Sequence, residues 1–215
     1  MNIIKELEDL IKEFNQDHDE DFAIDSIRVE FSKQHKREEL KALGKWSKLQ
    51  KNSPLLPKLK KRLADNEITS VWRLEEHNIY YYNMQDTPKY RRATLVIFGM
   101  KQYHKAAPPR ELISKVLSIL KDVSNIDICL DLPYKPNLAS LAKYFTLTPY
   151  MTSSYINDTG IPMIDKIIIY DKGLKNTLGM ILWRIEAKIS IPNFKALAIP
   201  LHELKEITDI VRGNR

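Results

Sequence analysis

Residues 125–132 read NIDICLDL, and the alternation in that stretch decides what kind of fold the chain builds. A β-strand points successive side chains to opposite faces. On that period Ile126, Ile128, Leu130 and Leu132 share one face, and Asp127, Cys129 and Asp131 share the other. IDKIIIYDK (164–172) and ILWRIEAKI (181–189) repeat the pattern downstream. In the first, Lys166, Ile168, Tyr170 and Lys172 fall together. In the second, Trp183, Ile185 and Ala187 form the apolar side, and Leu182, Arg184, Glu186 and Lys188 the polar side. The GLKNTLG stretch between them predicts a turn joining antiparallel partners. Strands with one apolar face each require a layer of helices to cover it. The expected fold is therefore α+β: a mostly antiparallel sheet with helices packed on one face.

Outward from these strands the pattern continues. Toward the N-terminus, Ile3, Ile4, Leu7, Leu10, Ile11 and Phe14 recur at helical spacing, and an acidic loop at 17–21 follows. SIRVEF (26–31) alternates as a strand. Residues 33–50 predict a basic helix with Leu40, Leu43, Trp46 and Leu49 as its apolar stripe. SPLLP (53–57) breaks it before a second helix at 57–65, so that 32–66 read as a basic helical hairpin. ITSVWRL (68–74) and NIYYYNM (78–84) predict a β-hairpin around Glu75–His77, followed by a turn at 85–92 and an apolar strand at 93–100. Helices are expected at 107–123, where prolines sit near the start, and at 136–145 and 200–212. Residues 146–163 read as a polar, tyrosine-bearing loop. The chain divides on this reading into a helical and basic segment, 1–66, with one strand at 26–31, and an α+β core, 67–215.

The 215 residues suffice for one well-buried core, and 43% hydrophobic with 29% charged residues is the composition of a folded chain. No apolar run approaches the roughly 18–20 residues of a membrane span. Acids at every turn of the first helix argue against a signal peptide. A single cysteine, Cys129, excludes an internal disulfide and a Cys-x-x-Cys metal site, and suits the reducing cytoplasm. A glycine-rich phosphate loop is absent, which argues against a standard nucleotide or dinucleotide enzyme.

Charge is more informative. The chain carries a formal +6 with a pI near 9.2. Residues 1–25 hold two bases and nine acids, a net −7, whereas 33–62 hold eleven bases and two acids, a net +9. Such a segment attracts a phosphate backbone. Lys36, Arg37, Lys41, Lys45 and Lys48 within it, Arg91 and Arg92 in the later turn and Lys188 on the sheet are candidate nucleic-acid contacts. A solvated surface that balances the acidic N-terminus has the same counts.

With the three polar strand faces aligned, one surface collects Asp127, Asp131, Tyr170, Lys172, Arg184, Glu186 and Lys188. Three carboxylates suit a hard divalent cation, Mg²⁺ or Mn²⁺. Cations beside them suit phosphate, and a tyrosine within reach suits nucleophilic attack. Cross-strand ion pairs on any half-solvated sheet look the same. Tyr134, Tyr150 and Tyr155 are alternative nucleophiles where Tyr170 is buried. Tyr80, Tyr81 and Tyr82 suit base stacking or sheet-edge packing equally.

The ordered trio Ile126-Asp127-Ile128-Cys129-Leu130-Asp131, Tyr170-Asp171-Lys172 and Trp183-Arg184-Ile185-Glu186 resembles the replication initiation factor family. These are the rolling-circle initiators of certain plasmids and filamentous phages. The resemblance covers roughly residues 94–190. It implies a rolling-circle-nuclease-like fold and a metal-dependent tyrosine endonuclease that nicks and rejoins single-stranded DNA or an origin hairpin. It further implies Tyr170 as nucleophile and Asp127, Asp131 and Glu186 as metal ligands. Lys172 and Arg184 would steady the scissile phosphate. The oligomeric state, a homodimer among the options, stays open, as does a binding protein of the same fold without chemistry.

Overall fold

The computed structural model describes residues 2–63, 68, 70–83, 92–103 and 105–213, with backbone alone at 33–35, 61–63 and 83. Within them the chain is α+β. Its elements run α1 (Ile3–His18), β1 (Ala23–Ser32), α2 (Lys33–Lys41), β2 (Trp46–Lys48), α3 (Leu55–Leu63), β3 (Val71–Leu74), β4 (Ile79–Asn83) and β5 (Arg92–Phe98). They continue with α4 (Arg110–Leu120), β6 (Asn125–Leu132), α5 (Leu138–Leu141), β7 (Thr148–Tyr150), β8 (Ser153–Ile156), β9 (Ile164–Asp171), α6 (Lys172–Asn176), β10 (Trp183–Ser190) and α7 (Ala198–Arg212).

The described strands form one antiparallel sheet in the order β2-β3-β4-β5-β1-β6-β10-β9-β8-β7. The alternation read from the sequence fixes its two faces. Ile27, Leu95, Ile97, Ile126, Ile128, Ile167, Ile169, Ile185 and Ala187 lie on the apolar face in one core with residues of α1, α4 and α7, such as Leu7, Val116 and Leu204. The expected strand at 26–31 is β1, and it lies mid-sheet between β5 and β6. Residues on both sides of position 66 thus share a single core. α3 is the exception to one-sided packing. Its Leu59 joins Val71, Tyr80, Tyr82, Val96 and Phe98 in a smaller cluster on the opposite face, over one end of the sheet.

Several expectations change. The basic helix expected at 33–50 stops at Lys41, and Trp46 enters strand β2. Gly44 makes the break: its φ of 152° suits glycine, and a Cβ there would meet the Glu75 carboxylate. The helical hairpin over 32–66 is therefore helix, edge strand, helix. The polar loop at 146–163 contains a hairpin, β7–β8, whose turn places Met151 at φ 52°. The turn expected after Lys172 is the short helix α6, because the Asp171 side chain accepts from the Leu174 N–H at 2.8 Å and caps it. The helix expected at 136–145 shortens to α5. The turn expected at 85–92 falls outside the described residues except at Arg92.

Candidate active-site cleft on the polar face of the sheet

The three motif strands are neighbours, with β10 between β6 and β9. Arg184 lies opposite Asp131 on one side and Tyr170 on the other. Glu186 lies opposite Cys129 and Ile168, and Lys188 opposite Asp127 and Lys166. Each cross-strand row shares a face, so the polar face reads Asp131–Arg184–Tyr170–Ser153 in one row and Cys129–Glu186–Ile168–Tyr155 in the next. This face floors a cleft of about 650 Å³, walled by α3 at one end and the β7–β8 turn at the other.

Arg184 is the hub. It is 1% exposed and makes two hydrogen bonds to Asp131, Nε to Oδ1 at 2.6 Å and Nη2 to Oδ2 at 2.7 Å. Its Nη1 donates to Asp25 Oδ1 at 2.6 Å, and its Nη2 also reaches the Lys101 carbonyl at 3.3 Å. Burial disfavours the cation, yet the Asp131 hydrogen bonds and the surrounding anions drive its pKa above the usual arginine value. Asp131 follows the converse logic. Burial pushes its carboxyl up, and the Arg184 bonds more than offset this, leaving its pKa below the usual aspartate value. Asp25 reaches Arg184 because β1 bulges between Ile24 and Ser26, which adds a residue to the strand at that point.

Tyr170 is 6% exposed, and its hydroxyl donates to Glu186 Oε2 at 3.1 Å. Burial, then the Glu186 charge, pushes the phenol far above the usual tyrosine pKa. The Lys175 ammonium lies 4.1 Å from the centre of the Tyr170 ring. Lys172 is buried, donates to the Lys101 carbonyl at 3.0 Å and lies 5.1 Å from the Tyr103 ring. Burial, reinforced by Arg184, lowers its pKa. Tyr103 donates to Asp131 Oδ2 at 2.8 Å; burial and Asp131 push its pKa up to about 12.

The structure thus brings together Tyr170, Lys172, Arg184, Asp131 and Glu186, and sets Lys188 on the cleft wall. It does not bring together the three carboxylates expected to hold Mg²⁺ or Mn²⁺. Asp127 is two rows from Asp131, accepts from the Ser26 hydroxyl and lies 3.8 Å from Arg28. Asp131 is saturated by Arg184 and Tyr103, and Glu186 accepts from Tyr170. Among the described residues no group of three or more His, Cys, Asp and Glu side chains is placed to hold a metal ion. Asp127 and Asp131, i and i+4 on one strand, are about 13 Å apart, and Glu186 in the row between them is turned to Tyr170.

Of the expected nucleic-acid contacts, Lys36, Arg37 and Lys41 sit on α2, and Lys45 and Lys48 lie at or beside the β2 edge, away from the cleft. Lys36 pairs with Glu39 at 3.1 Å and Lys41 with Glu38 at 2.8 Å. Arg92 opposes Ser32 at the far end of β5, and Arg91 lies outside the described residues. The cleft has its own cations, Lys58, Lys101, Lys105 and Lys175, beside Lys172 and Lys188. Sequence reading placed Lys58 in the basic run at 33–62 and missed the other three, together with Asp25 and Tyr103. A bulge and a loop residue carry no periodic signal.

No family model and no curated protein matches the sequence. Among solved structures the chain is similar to a rolling circle replication initiator protein from Geobacillus stearothermophilus. The match is 11% identical, covers 82% of this chain and 78% of that one, and has a TM-score of 0.42. At that score the functional reading stands on the geometry of the cleft. No helix among the described residues is long and apolar enough to cross a membrane.

Proposed function

We propose that the protein is a DNA-binding, replication initiator-like enzyme of the cytoplasm that nicks and rejoins single-stranded DNA through Tyr170. The observation that carries this reading is the Tyr170 hydroxyl donating to Glu186 on the floor of a lysine-rich cleft, one row from Arg184. As the tyrosine oxygen bonds to phosphorus, Glu186 takes its proton and the bond from phosphorus to the 3′ oxygen breaks. A proton from solvent water completes the released 3′ hydroxyl, Glu186 gives its own back to solvent, and the 5′ phosphate stays on the tyrosine. Attack by that hydroxyl reverses the step and reseals the strand. A phenol with a raised pKa is a poor nucleophile until a base takes its proton, which is the role Glu186 is placed to fill. Lys172 and Lys175 favour the developing anion, while Arg184 holds the strands in register. No step is assigned to a divalent ion, because the residues expected to bind one do not converge.

A second reading of the nucleophile has its own observation. Tyr155 is half-buried on the cleft wall, in the Glu186 row, with Lys166 Nζ 4.6 Å from its ring. Incubating the protein with labelled single-stranded and hairpin DNA, with Mn²⁺ or with chelator, tests both readings on a denaturing gel. A covalent band lost in Tyr170→Phe and kept in Tyr155→Phe supports the first. The reverse pattern moves the chemistry to Tyr155. DNA retained on a native gel with no covalent band for any protein reduces the function to binding.

A further inference from the structure

On the other face of the sheet, at its β2 edge, a separate pocket of about 210 Å³ opens between α2 and strands β2–β4. Its walls are aromatic. The Trp46 and Tyr81 ring centres are 4.9 Å apart, and Trp72 stacks nearly parallel to Tyr81, 14° between planes, at 6.1 Å. Phe31 closes the back, edge-on to Tyr81 at 6.4 Å. The rings are held from within the fold: the Trp46 indole N–H donates to the Leu40 carbonyl at 2.7 Å. Its rim is cationic. Arg37 and Lys41 line the mouth, and Lys48 lies directly opposite Trp72 in the β2–β3 register. Among the described residues Arg37 has no ion-pair partner within 4 Å.

Flat half-exposed rings beside a cluster of positive charge match one ligand chemistry, a nucleotide. The base offers a π-face of any sequence to the rings, and its phosphates meet the cations. A cationic ligand would also find aromatic faces, but the charge of Arg37 and that of Lys48 beside Trp72 repel it, while Lys41 is held by Glu38. The volume suits one ring system: a cavity of about 150 Å³ holds benzene. We infer that this pocket is a second nucleic-acid site that stacks a single unpaired base of the DNA against the half-exposed aromatic wall of Trp72, Tyr81 and Trp46, with its phosphates on Arg37, Lys41 and Lys48. The inference rests on the single-stranded DNA reading above and not on cleavage. Arg37, Lys41 and Lys48, which the cleft does not use, thereby acquire a shared ligand.

The test is photocrosslinking of the full chain to a single-stranded oligonucleotide carrying 5-iododeoxyuridine, with the joined peptides mapped by mass spectrometry. Attachment at Trp46, Trp72 or Tyr81 is expected. Affinity of the same oligonucleotide, read by fluorescence anisotropy, should fall about 5- to 150-fold in Trp72→Ala and much less in Trp72→Phe. Arg37→Ala should weaken binding in proportion to one phosphate contact. Crosslinks confined to cleft residues such as Tyr150 or Tyr155, with Trp72→Ala binding as tightly as wild type, overturn the pocket and leave the cleft reading standing. Failure of the wild-type protein to retain single-stranded DNA overturns both.

Discussion

Arg184 shows how one residue can join four separated parts of the chain. It binds Asp25 from β1, Asp131 from β6 and the Lys101 carbonyl after β5, while its own strand pairs with Tyr170. Two buried carboxylates left without it cost far more than the pair contributes, so Arg184→Met should destabilise the fold by about 3–5 kcal/mol in urea unfolding. Arg184→Lys should rescue little, since one ammonium cannot serve the same fork. Acid should act through the same cluster. The Asp131 pKa is depressed below its ordinary 3.8, so its stabilisation is present above that pH and is lost as pH falls through the folded value. The melting temperature of Asp131→Asn should accordingly depend less on pH below about 4 than that of the wild type. Tyr103 acts at the alkaline end. Its pKa is raised from 10.0 to about 12, so its contribution is complete below 10 and vanishes as pH rises through 12. Ultraviolet titration of wild type against Tyr103→Phe should show one phenol ionising late. Glu186→Gln should leave the melting temperature near wild type while slowing covalent capture about 10²–10⁴-fold. A Glu186→Gln protein that forms the adduct at the wild-type rate would remove the general base from this account.

At the scale of elements, the site depends on the joint between β9 and β10. α6 is only five residues long, and its Gly173 N–H donates to the Leu182 carbonyl at 2.9 Å. A Cβ on Gly173 would run into the Met180 carbonyl, a backbone atom that cannot swing aside. Gly173→Ala should therefore destabilise the protein by about 1–3 kcal/mol in urea unfolding. It should also lower covalent capture, because Lys172 and Lys175 ride on the same turn. The strands themselves were legible in sequence. β6, β9 and β10 came from period-two alternation, which Ile168 interrupts on β9, and their registers set the polar face as expected. The α2–β2 boundary was not. Leu40, Leu43, Trp46 and Leu49 fit a helical stripe, but the backbone at Gly44 and the need to cover the β3 edge turned Trp46 into a strand residue. The β7–β8 hairpin was equally hidden, since three- and four-residue strands of mixed polarity give no periodic signal.

For the molecule as a whole, charge is arranged by face. Lys58, Lys101, Lys105, Lys172, Lys175 and Lys188 converge on the cleft from α3, the loop after β5, α6 and β10. Their affinity for single-stranded DNA should be released by salt, with log K falling by about 0.7 per phosphate contact for each unit of log salt. Lys105→Ala and Lys188→Ala should each flatten that slope in a salt titration, and slopes identical to wild type would place the DNA elsewhere. The sequence by itself determined the fold class, the two faces of each motif strand and the positive charge of the chain, because these follow from local periodicity and composition. Only the tertiary structure decided that β6, β10 and β9 adjoin, that Asp25 and Tyr103 complete the Arg184 cluster and that Asp127 is bound to Ser26, two rows from Asp131. It alone showed that the lysines of the cleft, Lys58 apart, come from segments outside the basic run at 33–62. Pairing order, bulges and loop closure bring together residues far apart in the chain, and no local pattern encodes that distance.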